Sequence, residues 1–276
     1  MTVELNKEQK DVIDHKDGPV LVLAGPGTGK TMTIIERVEK LVDSGVDPKK
    51  ILCITFTEKA TGEMKSRLEK KGNVATVVST FHAFCKEICS DNFIKSGLSD
   101  SSKLMKETSL QVWCLKNFDA FGINPDVIDT GKNLARVTKG MVQALSNFKE
   151  SLISSEKFQE WLDAQDEKIS KYTPQEAKAH KELISYVELH QEFNKVYSAY
   201  EKFQQEKEIF DFDDMILKAI NLLKKDAGVL ENYQKKYDYI LVDEFQDNNY
   251  SQFEVVRLLG GHGNVMVVGD DDQLIM

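Results

Sequence analysis

Val20-Leu21-Val22-Leu23-Ala24-Gly25-Pro26-Gly27-Thr28-Gly29-Lys30-Thr31 is the stretch that decides the fold. Four apolar residues run straight into a glycine-rich turn. The turn runs into a segment where Ile34, Ile35, Val38, Leu41 and Val42 recur at helical spacing. Strand, turn and helix in that order open a βαβ unit. Glycines let the backbone bend so that successive N–H groups aim at phosphate oxygens, and the helix N-terminus adds the positive end of its dipole. In such a turn Lys30 reaches the β and γ phosphates and the Thr31 hydroxyl ligates magnesium. Ala24, Gly25, Pro26, Gly27, Thr28, Gly29, Lys30 and Thr31 are therefore the expected nucleotide cradle, with ATP and Mg2+ as its ligands. Ala24 stands where the strict pattern has glycine. A purely structural glycine turn is disfavoured by the strand and helix on its two sides.

Outward from this unit, four more apolar runs read as strands: Ile51 to Phe56, Val74 to Val78, Tyr239 to Asp243 and Asn264 to Gly269. Each is nearly continuous in apolar residues, as expected of parallel strands covered on both faces, and helical patterns alternate with them. Asp43-Ser44-Gly45 with Asp47-Pro48 ends the first helix, and Gly72 ends a second one marked by Ala60, Met64 and Leu68. From about Asp91 to Glu208 the pattern changes to long polar helical segments with few glycines and no strand signal. Tyr186, Leu189, Phe193, Val196, Tyr197, Tyr200 and Phe203 recur at three- and four-residue steps, so one long amphipathic helix is expected over roughly 177–206. The expected organisation is an α/β parallel sheet over 1–90 and 209–276, interrupted by an all-helical subdomain over 91–208.

The second half of the nucleotide site is Tyr239-Ile240-Leu241-Val242-Asp243-Glu244, an apolar strand that delivers two adjacent carboxylates. Ligands of open α/β sheets bind at the carboxyl ends of the strands. Asp243 is placed to hold the magnesium shell, and Glu244 to orient and deprotonate the attacking water of in-line phosphoryl transfer. Either acid alone would be an ordinary solvated loop residue.

Composition narrows the remaining classes. The chain has 276 residues with a formal net charge of -9, which argues against coating nucleic acid by bulk electrostatics but leaves room for a local basic groove. No apolar run reaches the length of a membrane span, and Met1 to Lys10 lacks a signal-peptide core, so the expected address is the cytoplasm. Cys53, Cys85, Cys89 and Cys114 show no paired spacing, which favours reduced core thiols over a zinc site or a disulfide framework.

Six blocks together resemble the UvrD/Rep group of superfamily 1 DNA helicases, and in the family's order. Leu5-Asn6-Lys7-Glu8-Gln9 resembles its Q motif, which makes Gln9 the adenine reader. Ala24 to Thr31 resembles its P-loop, Thr55-Phe56-Thr57-Glu58-Lys59-Ala60 its motif Ia, and Thr80-Phe81-His82-Ala83-Phe84 its motif Ib. Val242-Asp243-Glu244-Phe245-Gln246-Asp247 resembles its D-E-F-Q-D box, and Gly269-Asp270-Asp271-Asp272-Gln273 its motif III. Phe212-Asp213-Asp214-Met215-Ile216 is similar to the block where the family's chain re-enters the first motor domain. The resemblance implies a RecA-like P-loop NTPase sheet with a large all-helical insertion. It implies that Phe56 stacks a base of single-stranded DNA, that Thr80 and His82 contact phosphates, and that Gln273 senses the γ-phosphate alongside catalytic Lys30 and Glu244. Taken without it, Phe56 reads as core and His82 as a surface imidazole.

The sequence departs from the family at Met32, where an arginine often lies near the adenine, at Glu58, where the family has asparagine, and at Leu274-Ile275-Met276, where it has Ser-Ile-Tyr. The base-stacking aromatics and the second motor domain with its arginine fingers are expected to be missing. The resemblance thus implies the N-terminal, ATP-binding portion of an ATP-dependent helicase that moves on single-stranded DNA, 3′-to-5′ in polarity, and unwinds duplex DNA. Two other classes stay open: a regulatory P-loop ATPase or small-molecule kinase with a helical lid, and a catalytically silent DNA or partner adaptor.

Overall fold

The computed structural model describes residues 5–129 and 133–273. Its strands are β1 (Val20–Leu23), β2 (Ile51–Thr55), β3 (Val77–Thr80), β4 (Lys103–Leu104), β5 (Ile209–Phe210), β6 (Tyr239–Val242) and β7 (Val265–Gly269). Its α-helices are α1 (Lys7–Asp14), α2 (Lys30–Asp43), α3 (Glu58–Lys70), α4 (Phe81–Asp91), α5 (Glu107–Asn117), α6 (Leu134–Glu150), α7 (Ser155–Ile169), α8 (Pro174–Ala179), α9 (Lys181–Lys207), α10 (Phe212–Lys225), α11 (Ala227–Lys236) and α12 (Tyr250–Leu259). The chain divides into two compact units, one formed by Met1–Ser96 with Lys218–Met276 and the other by Gly97–Leu217.

The first unit is built on a parallel sheet in the order β1-β7-β6-β2-β3. The chain leaves β1 and β2, skips outward, and returns through β6 and β7 to fill the middle. All five strands therefore end at one carboxyl edge, where the turns after β1, β2, β3, β6 and β7 assemble. Ile34, Ile35 and Val38 of α2, Met64 and Leu68 of α3, and Ile51, Cys53, Leu241 and Val268 of the sheet form one buried core. Helix α2 stops as its sequence predicts. Gly45 adopts φ +98°, its N–H bonds to Val42 O, and Val46 N bonds to Leu41 O. Both bonds belong to the left-handed helix terminus that glycine adopts without the steric cost of a side chain.

The structure corrects the expectation of strands covered on both faces. β2 is fully buried, but β1 alternates partly buried with exposed residues, so the face that carries Leu21 and Leu23 is left uncovered. The third strand also begins later than expected, at Val77 rather than Val74, because Asn73 closes the turn after α3 by bonding to Leu68 O.

The second unit is helical apart from the two-residue parallel pair β4 and β5, which no sequence signal announced. Its core joins Leu110, Cys114, Leu145, Leu162, Val196, Tyr197 and Tyr200. The expected single helix over 177–206 is two. Thr173 and Glu176 form a reciprocal cap that starts α8, Pro174 takes its first turn, and the chain breaks at His180 before α9 begins. Most of the aromatic stripe is core, but Tyr186 and Leu189 are exposed. Lys149 is nearly buried, and its Nζ lies 2.7 Å from both Asp211 and Asp214 with the Tyr200 ring beneath it. All four cysteines are buried, and burial pushes the Cys53 thiol up to about 12.

Candidate nucleotide site

The turn after β1 begins with Ala24 N donating to Gly269 O at 2.9 Å, which ties the P-loop to the end of β7. Gly29 adopts φ +90° as the residue that opens α2, and a Cβ there would lie 3.2 Å from the Gln9 amide. The left-handed backbone favours glycine there, and a side chain would also push the Gln9 amide aside by a few tenths of an ångström. Lys30 and Thr31 follow as the first two residues of α2 and project from its N-terminus.

From the end of β6, Asp243 and Glu244 reach the same place. The Thr31 hydroxyl donates to Asp243 Oδ2 at 2.8 Å, and Lys30 Nζ lies 3.1 Å from Glu244 Oε2 and 3.9 Å from Asp270 Oδ2. Lys30, Asp243 and Asp270 are buried. Residues more than two hundred positions apart therefore meet in one polar cluster. Burial raises the Asp243 carboxyl above the usual carboxylate range, with the Thr31 hydroxyl working against it and the Glu244 charge adding to it. Three acids against one lysine leave the cluster short of positive charge. That donor set, a hydroxyl and a buried carboxylate side by side, suits a hard divalent cation such as Mg2+.

Glu244 holds φ 49°, ψ 50°, a left-handed conformation that costs a residue with a side chain of order 1–3 kcal/mol and concentrates at functional sites. Gln246 supports it. Its Nε2 donates to Glu244 Oε2 at 2.9 Å, while its Oε1 accepts from Asp270 N at 3.0 Å. One amide thus links the acid after β6 to the segment after β7. A cavity of about 350 Å³ opens on this cluster, lined by Pro26, Gly27, Gly29, Lys30, Thr31, Met32, Arg67 and Glu244.

Two of these contacts escaped the sequence. Gln246 lies inside the D-E-F-Q-D block, yet nothing in that string says which way its amide turns. Arg67 sits in the last turn of α3 and brings a guanidinium to the cavity wall. A charge on an exposed helix face carries no mark of what lies opposite.

Gln9 is beside the P-loop, as expected, but its amide is committed. Oε1 accepts from Asn6 N at 3.0 Å to close the cap of α1, and Nε2 donates to Thr28 O at 3.0 Å. Arg37, buried on α2, donates to the carbonyls of Val12, His15 and Lys16 and so fastens the end of α1 to the P-loop helix.

Thr55 and Thr80 end adjacent strands and pair in register, and Phe56 follows directly on Thr55. Phe56 is half exposed, His82 is partly buried, and Thr80 is buried at the start of α4. The Thr80 hydroxyl accepts from Ala83 N at 3.2 Å and donates to Glu58 Oε1 at 3.0 Å. Asp271–Gln273 form a short 3-10 turn, and the Gln273 side chain, like Leu274, Ile275 and Met276, lies outside the described residues.

The UvrD/REP helicase N-terminal domain family model matches residues 5–276. The chain belongs to this family. It is 36% identical, over 98% of its length, to the ATP-dependent DNA helicase PcrA of Staphylococcus aureus, and 34% identical to that of Staphylococcus epidermidis. It spans about a third of the length of these curated relatives, 34% in each case. Within the UvrD/REP frame the fold is a RecA-like α/β parallel sheet with a helical insertion. Among the described residues no helix is long and apolar enough to cross a membrane.

Proposed function

We propose that this chain is the ATP-binding N-terminal part of an ATP-dependent DNA helicase that couples hydrolysis to movement along single-stranded DNA and to duplex unwinding. The observation that carries the reading is the meeting of Lys30, Thr31, Asp243, Glu244 and Asp270 in one polar cluster at the carboxyl edge of the sheet, with Lys30, Thr31 and Glu244 lining the cavity that opens on it. In this reading residues 1–90 and 209–276 are the first motor domain and 91–208 its insertion. A DNA track and an ATP supply put the work in the cytoplasm.

Lys30 is held in the structure by Glu244 and Asp270. A triphosphate entering the cradle offers Lys30 a stronger set of acceptors, since charge-assisted bonds to phosphate gain from several oxygens at once. Glu244 then loses its lysine and is free to orient water and take its proton. Gln246 keeps that carboxylate aimed and links its state to the segment bearing Gln273. Thr31 and Asp243 would hold Mg2+, which when bound would neutralise charge on the phosphates. Arg67 adds a further cation at the cavity wall. On the neighbouring turns Phe56 offers a ring on which any base can stack, and Thr80 and His82 contact the phosphates. Stepping follows as the cleft to a second motor domain closes on ATP and opens after hydrolysis, with 3′-to-5′ polarity.

The test is phosphate release by the full-length enzyme with and without single-stranded DNA, with Glu244→Gln as control. DNA-stimulated release that disappears in the variant is expected. Undiminished release in the variant removes Glu244 as the base, and release indifferent to DNA leaves a regulatory P-loop ATPase instead.

A further inference from the structure

The Thr80 hydroxyl has one proton and can donate one hydrogen bond. That proton points to Glu58 Oε1 at 3.0 Å, while the oxygen accepts from Ala83 N to cap α4. A DNA phosphate, which has only acceptor oxygens, can bond to Thr80 only by taking the proton away from Glu58. Glu58 itself is exposed, as the first residue of α3, where the helix dipole favours a carboxylate. The same face carries the half-exposed ring of Phe56, two residues before Glu58. A negative charge therefore stands on the acceptor of the one hydroxyl that a phosphate would need.

We propose that Glu58 is an affinity-setting residue that competes with the DNA backbone for the Thr80 proton and weakens the grip of this face on single-stranded DNA. The inference rests on the DNA-binding reading of Phe56, Thr80 and His82 given above. Glu58 has two separable effects. Its charge repels an approaching phosphate, an effect that salt screens. Its oxygen withholds a proton, an effect that salt leaves in place. Weak holding at one contact suits a protein that must let go of its track at each step.

The two effects separate in a mutant cycle on the 276-residue chain, read by fluorescence anisotropy of a labelled oligothymidylate across a salt series. Glu58→Gln keeps an acceptor and loses the charge, so affinity rises about two- to fivefold at low salt and the gain fades as salt increases. Glu58→Ala also frees the proton, so affinity rises further, and the slope of log affinity against log salt steepens by about 0.7, the value for one added phosphate contact on a single strand. Thr80→Val lowers affinity less in the wild-type background than in the Glu58→Ala background, where it also erases the step between Gln and Ala. Thr80→Ser, which keeps cap and proton, follows threonine in both backgrounds, and Glu63→Gln on the exposed side of α3 leaves affinity unchanged. Melting curves confirm that each variant is folded. Equal affinity of wild type and Glu58→Ala, or a gain that survives Thr80→Val in full, overturns the inference while leaving the DNA face standing. Absence of binding by every variant at low salt overturns that face and the inference with it.

Discussion

Arg67 and Lys30 show how differently two cations of the same site announce themselves. Lys30 is fixed by a local pattern, because a glycine turn ahead of a helix forces its position. Arg67 reaches the same cavity from α3, through packing that no short string encodes. Among the described residues its guanidinium has no carboxylate partner to displace, so its contribution to nucleotide affinity should emerge cleanly on truncation. Arg67→Ala is expected to weaken Mg-ATP binding roughly tenfold, a loss of about 1.4 kcal/mol within the range for a charged hydrogen bond. Titration with a fluorescent ATP analogue checks it, and Arg67→Lys should recover only part, since an ammonium lacks the forked geometry. Thr80 is the converse case. Its block resembles a phosphate-binding motif, yet whether its proton is available depends on Glu58, which lies on another element.

At the scale of elements, two charge clusters hold helices together, one largely buried and one with a buried acid between exposed cations. Lys149 of α6 meets Asp211 and Asp214 at the start of α10, with Gln204 of α9 adding a further partner at 3.4 Å. Burial and the neighbouring Asp211 charge push the Asp214 carboxyl up to about 6, against the pull of Lys149. Lys149→Ala leaves those carboxylates without their counter-ion and should cost about 3–5 kcal/mol, read as the free energy of urea unfolding. Adding Asp211→Asn and Asp214→Asn to Lys149→Met should recover much of that loss, because the charges are then gone together.

The other cluster joins α10 to α12 through Glu254, whose side chain is nearly buried between Arg257 at 2.5 Å and Lys224 at 2.7 Å. Hydrogen bonds from Arg257 first, then Lys224, hold its carboxyl down at about 2 despite burial. A depressed folded-state value means stabilisation that is complete above the unfolded value near 4.5 and is lost as pH falls from there toward 2. The melting temperature of the wild type should therefore fall across that window, and Glu254→Gln should be less stable at neutral pH but flatter below it. Equal slopes for the two chains would exclude Glu254 as the source. Neither cluster is legible in the sequence, since a lysine in a polar helix reads as solvated until the fold surrounds it.

For the molecule as a whole, the sheet and its functional edge are written in short strings. Apolar runs, glycine turns and the Asp243-Glu244 pair each carry a local physical reason, and their order points to the parallel sheet. What stays hidden depends on neighbours supplied by the fold. Leu21 and Leu23 look as buried as the residues of β2, and nothing in the strand itself says that one of its faces is left uncovered. The two-residue strands β4 and β5 are too short for a periodicity, and the break at His180 lies ahead of the aromatic stripe, which begins only at Tyr186 and so cannot mark it. The chain spans about a third of the length of its curated relatives, 34% in each case.

If the turn after β1 and the acids after β6 form one triphosphate site, calorimetric titration of the chain with a non-hydrolysable ATP analogue in Mg2+ reads it directly. One saturable site in the wild type, lost in Lys30→Ala and weakened in Asp243→Asn only while Mg2+ is present, is the predicted result. Binding of the analogue that is unchanged by Lys30→Ala, with both chains folded, would contradict it.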